Sequence, residues 1–383
     1  MDMVAEHRAS MRAVTLHSDD MTARILAHGA RLASLTVPDA DGRPVDVALG
    51  LADEAAYRND DVCMGAVVGR NAGRIAGARC VIDGKEYPLA ANDGPNNSHS
   101  GPHGFEHEDW IIDEETLAAD RVTLRLISPH LSQGFPGTLR VEATYALVGG
   151  RTLELTIEAQ TDCATVWNPT SHIYWNLNGD GRSALGHTLR VNAGRVFPSD
   201  ETFLPLDPMP VDGTPFDLRE GRRLRDAMLG CDGRDATNDR SITDDMATAR
   251  EAARGTSDGP DFLSALTDSQ LVMGRGYNHV YDFARAYAAS TATPFPMATL
   301  TGERSGIRME LSCNAPALVL YSAGFFDHIP TRNGLVYGPS AGIALEPSFV
   351  PNAINDTHGG ATPSPLLGAG ERRRMTIRWQ FSA

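Results

Sequence analysis

The chain reads as an all-β protein, a large antiparallel β-sandwich with few short helices. Three observations predict this: apolar and polar residues alternate with period two over long stretches, tight-turn dipeptides separate those stretches, and helix-period patterns are scarce. The clearest strand covers 151–159. Leu153, Leu155, Ile157 and Ala159 share one face, and Thr152, Glu154, Thr156 and Glu158 the other, which describes a half-buried strand. Val141, Ala143, Tyr145 and Leu147 repeat the pattern just upstream, and Gly149-Gly150 supplies a hairpin turn between the two. Val122, Leu124 and Leu126 predict a further strand, and 373–381 alternates as well. Asp41-Gly42 and Asp83-Gly84 mark two more tight turns. Helical patterns are confined to 244–254 and 261–272, both inside a polar segment, 220–275, that reads as an insertion with short helices. With no internal repeat, low-complexity tract or linker, residues 1–383 are expected to form a single domain.

Charge narrows the partners. A net charge of −15 repels phosphates, so the chain is expected to bind neither nucleic acid nor an anionic membrane. A neutral small ligand is unaffected by it. Cysteines stand at 63, 80, 163, 231 and 313, with no C-x-x-C spacing, and read as free thiols of a reducing compartment. Residues 1–10 lack the apolar run of a signal peptide, and no apolar run is long enough to cross a bilayer. The expected location is the cytoplasm.

Four polar, turn-rich segments are candidates for chemistry. In Asn168-Pro-Thr-Ser-His-Ile-Tyr-Trp-Asn-Leu177, Pro169 keeps a helix interior from running through. His172 is therefore placed at a strand or strand end, where an imidazole can serve as acid or base near neutral pH. Gly342-Ile-Ala-Leu-Glu-Pro-Ser-Phe-Val-Pro-Asn352 puts Glu346 at the end of an apolar run. A carboxylate there is either paired in a buried ion pair or working. Gly69-Arg-Asn-Ala-Gly-Arg-Ile-Ala-Gly77 lacks the Gly-Lys-Ser/Thr of a nucleotide loop. It reads as a turn with two exposed arginines, of which Arg74 can donate to a ligand oxygen. In Asn96-Asn-Ser-His-Ser-Gly-Pro-His-Gly-Phe-Glu-His107 the histidines recur every four residues, but Gly101, Pro102 and Gly104 oppose the helix that would align them on a metal. This segment is expected to be a loop that presents one histidine to a cleft.

Taken together and in order, these residues resemble the aldose 1-epimerase (galactose mutarotase) family over nearly the whole chain. The likeness runs from His28-Gly-Ala-Arg-Leu-Ala-Ser-Leu-Thr-Val37 and Asp46-Val-Ala-Leu-Gly50 through Asp83-Gly-Lys-Glu-Tyr-Pro-Leu89 and Gly134-Phe-Pro-Gly137. It continues through the His172 segment, Val211-Asp-Gly-Thr-Pro-Phe-Asp-Leu-Arg219 and Leu345-Glu-Pro-Ser-Phe-Val-Pro-Asn352. The resemblance implies a galactose mutarotase-like supersandwich that interconverts the α and β anomers of free aldoses without cofactor or metal. It implies catalytic roles for His172 and Glu346, and sugar-binding roles for Arg74, His99 and Asn278. Two positions and one loop, Ser98-His-Ser-Gly101, depart from the family pattern. Gly73 stands where asparagine usually precedes the arginine, and Asn278 where aspartate is usual, so the charge that reads a hydroxyl is lost there while an acceptor oxygen remains. The segment 220–275 is longer than the family's usual connection and can shape the cleft or an oligomer contact.

The chemistry so implied is acid–base. One group takes the proton of the C1 hydroxyl, another gives one to the ring oxygen, the ring opens, the C1–C2 bond turns, and the ring recloses. Glu346 is assigned as base and His172 as acid, on the expectation that a neighbouring carboxylate keeps the histidine charged. Trp175 or Phe105 is the candidate aromatic face for the sugar ring. The expected partner is a small-molecule aldose, acted on by a monomer or homodimer. Competing readings are a non-catalytic sugar-binding or regulatory module on the same fold, a hexose-6-phosphate 1-epimerase, and a metal hydrolase built on the 99–107 histidines.

Overall fold

Alternation in the sequence becomes three large antiparallel sheets, with smaller two-stranded ones beside them. The computed structural model describes residues 11–230, 260–332, 334–355, 360 and 362–383. The stretch 151–159 becomes strand Thr152–Thr161, which pairs with Leu139–Val148 so that Val148 faces Thr152 across the Gly149-Gly150 turn. Both glycines take positive φ, 59° and 82°, the backbone that a tight hairpin needs and that side chains disfavour. These strands belong to a nine-stranded sheet that also contains Arg121–Ser128, Arg372–Ser382, Arg308–Cys313 and Phe295–Thr301. A six-stranded sheet runs in the order Tyr174–Trp175, Ile343–Ser348, Ala317–Tyr321, Asn278–Asp282, Arg195–Phe197 and Met209–Pro210. The N-terminal strands Ala13–His17, Thr22–Leu26, Arg31–Pro38 and Pro44–Asp46 form a four-stranded sheet.

All three sheets feed one core. Leu16, Ile25 and Leu35 come from the four-stranded sheet, and Tyr145, Leu155, Ile377 and Trp379 from the nine-stranded one. Trp175, Leu318, Leu320, Ile343 and Leu345 come from the six-stranded one. The Trp175 ring lies 5.7 Å from Trp379 and 5.8 Å from Phe381. Because strand residues alternate faces, burying Ile343, Leu345, Leu318 and Leu320 in the core sends Ala344, Glu346, Val319 and Tyr321 to the other side. On that outer face Val280, Val319 and Glu346 lie in one row across three strands, and Asn278, Tyr321 and Ala344 in the next.

The helical expectations hold in part. The segment 244–254 lies outside the described residues. The stretch 261–272 is not one helix but two short ones, Pro260–Leu263 and Ser269–Gly274. The second starts where Asp268 accepts the N–H groups of Gln270 and Leu271. The described ends of the polar 220–275 segment carry apolar side chains, Leu224, Ala227, Met228, Phe262 and Leu271, into the main core. Cys63, Cys80, Cys163 and Cys313 are unbridged, and Cys231 lies outside the described residues. Among the described residues no helix is long and apolar enough to cross a membrane.

Candidate active site

The outer face of the six-stranded sheet is the floor of a cleft of about 710 Å³. All the residues singled out from sequence, Arg74, His99, His172, Asn278 and Glu346, line it. Loops 71–74, 168–172 and 346–349 are tied into one unit by Asn168. Its Nδ2 donates to Asn71 Oδ1 (3.2 Å) and Ala72 O (3.1 Å), and its Oδ1 accepts the Phe349 N–H at 2.7 Å. Thr170 adds a bond from Oγ1 to Pro347 O at 2.8 Å. The His172 backbone is clamped on both sides: its N–H donates to Ala66 O, and its carbonyl accepts from Gly65.

His172 Nε2 stands 3.6 Å from Glu346 Oε2 in the cleft lining. Both residues are buried, at 6 % and 5 % exposure, and that burial decides their ionisation. Desolvation pushes Glu346 up to about 8. Desolvation, reinforced by His99, lowers His172 to about 3. The neighbouring carboxylate expected from sequence is in place, but removing both groups from water favours their neutral forms and opposes the charged histidine.

His99 sits beside the pair, its ring 5.6 Å from that of His172. Its Nδ1 accepts the Gly73 N–H at 3.3 Å. A neutral imidazole that accepts at Nδ1 carries its hydrogen on Nε2, and burial holds His99 neutral by lowering it to about 4. It is therefore built as a donor. Gly73 has φ +73°, and a Cβ there would meet Pro351 Cγ at 3.0 Å, which accounts for glycine at this departure from the family pattern. Arg74 gives its Nε–H to Asp93 Oδ2 at 2.6 Å and lies over the Phe203 ring at 4.9 Å. Asn278 opens its strand, and its backbone N–H donates to His279 Nδ1 at 3.0 Å.

Several expectations are corrected by this geometry. Trp175 is fully buried among core aromatics, and Phe105 is packed against Gly69 and Trp110, so neither presents a face to the cleft. Arg70 is not exposed. It is 2 % accessible and donates to Ser128, Pro129, Pro136 and Thr165. The 96–107 loop brings two histidines to the cleft, His99 and His107. Among the described residues no three His, Cys, Asp or Glu side chains are arranged to hold a metal. Sequence reasoning also passed over Glu106, which lines the cleft, is 1 % exposed, and is raised to about 8 by burial. Gly104 faces that carboxyl so closely that a Cβ there would lie 2.5 Å from it.

The model of the aldose 1-epimerase family matches residues 12–380. The chain belongs to the aldose 1-epimerase family. It is 31% identical over 374 residues to the galactose mutarotase of Homo sapiens, covering 96% of this chain and 93% of that one. It is 28% identical over 375 residues to the aldose 1-epimerase of Escherichia coli K12, covering 97% and 95%. Among solved structures it resembles an aldose epimerase homologue from C. elegans, with TM-score 0.77 at 26% identity, covering 97% of this chain and 99% of that one. It also resembles a galactose 1-epimerase from Lactobacillus acidophilus, with TM-score 0.73 at 28% identity, covering 97% and 94%.

Proposed function

We propose that this member of the aldose 1-epimerase family is a mutarotase, interconverting the α and β anomers of a free aldose by acid–base opening and reclosure of the ring. The observation that carries the reading is the 3.6 Å separation of His172 Nε2 and Glu346 Oε2. The hydroxyl oxygen and the ring oxygen that exchange protons are both bonded to C1. An acid and a base that serve them must therefore converge on one small volume, and this buried pair does so.

In the forward step Glu346 takes the proton of the C1 hydroxyl as His172 gives one to the ring oxygen. The C1–O5 bond breaks, the aldehyde forms, and the proton of the pair ends on Glu346. The reverse transfer, onto either face of the aldehyde, closes the ring. Each positioned group contributes roughly 10²–10⁴-fold. Arg74, His99 and Asn278 are assigned to hold the sugar hydroxyls, which keeps the aldehyde in place while the C1–C2 bond turns.

Polarimetry of fresh α-D-galactose tests the reading, with wild type expected to speed relaxation and Glu346→Gln to lose at least about 10²-fold of that gain. Near-normal turnover in Glu346→Gln would remove the base assignment.

A further inference from the structure

We propose that Phe325 and Phe203 form the surface on which the apolar face of the sugar ring stacks at the mouth of the cleft. This rests on the mutarotase reading and adds binding residues to it. The cleft wall carries an open circuit of rings. His172 stands 4.9 Å from Tyr174, Tyr174 6.0 Å from Tyr321, Tyr321 6.5 Å from Phe325, and Phe325 5.9 Å from Phe203. Arg74 over Phe203 and His99 beside His172 extend it at its two ends.

Along this circuit the aromatic surface opens outward. Tyr174 is buried, with its hydroxyl donating to Val62 O. Tyr321 is half-buried, with its hydroxyl accepting the Phe325 N–H at 3.1 Å. Phe325 is 43% exposed. An aromatic ring left open to water inside a polar cleft has a broad C–H face as its natural partner. The backbone supports the same reading. Phe203 sits at φ +60°, which costs free energy for a residue with a side chain. Asp200 holds that conformation by accepting from the N–H groups of Thr202 (2.8 Å) and Leu204 (3.0 Å). Arg74 and Arg275 lie over the Phe203 and Phe325 rings at 4.9 and 5.6 Å, fixing both rings with cations.

The test compares wild type, Phe325→Ala, Phe325→Tyr and Phe203→Ala. Phe325 carries the argument, because trimming Phe203 also frees Arg74. Phe325→Ala is expected to raise KM roughly two- to tenfold with kcat unchanged, and Phe325→Tyr to restore it. Phe203→Ala is expected to raise KM as well. Magnetisation transferred from saturated aromatic protons to the sugar's ring protons is expected in wild type and to fall in Phe325→Ala. An active wild type whose KM and transfer are unmoved by Phe325→Ala overturns the stacking proposal alone. A wild type that binds the sugar, with transfer lost in Phe325→Ala, yet never speeds mutarotation supports the stacking surface and overturns the mutarotase reading.

Discussion

At the level of single residues, the site is governed by how far each ionisable group is removed from water. In the proposed mechanism one proton on the His172–Glu346 pair is the working state. Its two limits come from the pair as a unit. With His172 at about 3 and Glu346 at about 8, the turnover profile is expected to be level between about pH 5 and 7. It falls above about pH 8, where the pair loses its last proton and no acid remains. A profile that keeps rising through pH 9 would contradict this. The same shift carries a stability consequence of fixed sign. Unfolded Glu346 ionises near its model value of 4.5, while the folded group holds its proton to about 8. The Glu346 contribution to folding stability therefore declines as pH rises between those values; below about 6.5 the depressed His172 offsets it, so the net loss from the pair falls between about pH 6.5 and 8. Glu346→Gln, which cannot ionise, is expected to raise stability at pH 8 by on the order of a few kcal/mol while removing activity. A urea titration of both proteins at pH 5 and pH 8 measures it. Asn278→Asp restores a charge at a hydroxyl-reading position and is expected to change relative kcat/KM among galactose, glucose, xylose and arabinose. An unchanged ranking removes Asn278 from specificity.

Elements position these groups, and here sequence legibility divides. Glu346 was readable because Ile343, Ala344 and Leu345 before it announce a buried strand, and period two then sends the carboxyl to the outer face. His172 was readable because Pro169 and the alternating neighbours place it at a strand end. Arg70 and Glu106 were not readable. Arg70 is satisfied by the carbonyls of 128–136, more than fifty residues away. Glu106 is buried by Gly104 and by a loop held on Arg31, which donates to Glu106 O at 2.7 Å. Neither set of partners has a local pattern. The aromatic rim was mislocated for the same reason. Trp175 and Phe105 stand in conspicuous motifs, but register turns Trp175 inward, and the exposed rings come from 203 and 325, in loops that meet only in three dimensions. Asn168 makes the clearest prediction at this scale. Asn168→Ala leaves the Phe349 N–H and Ala72 O without partners. It is expected to cost about 2–4 kcal/mol and to lower kcat, because loops 71–74, 168–172 and 346–349 lose their shared tie. Full activity in this variant would contradict that coupling.

Across the whole molecule, one core shared by three sheets leaves the outer face of the six-stranded sheet free to be a rigid cleft floor. Alternation made this fold class legible, and the paired Gly149-Gly150 turn set the register of two ten-residue neighbours in the large sheet. The 220–275 segment was less legible. Its average polarity masked Leu224, Met228 and Leu271, each of which is buried in the core. Trp175 belongs to this scale rather than to the site. Trp175→Ala is expected to cost about 3–5 kcal/mol of stability, read as a lower urea midpoint, with KM little changed in the molecules that remain folded.

The measurement that bears most directly on the account is the relaxation of optical rotation after dissolving α-D-galactose, and separately α-D-glucose, with wild type and with Glu346→Gln. The account predicts faster relaxation with wild type for at least one sugar, and most of that gain lost in Glu346→Gln while sugar binding persists. Relaxation that wild type does not accelerate, or that Glu346→Gln accelerates equally well, would contradict it.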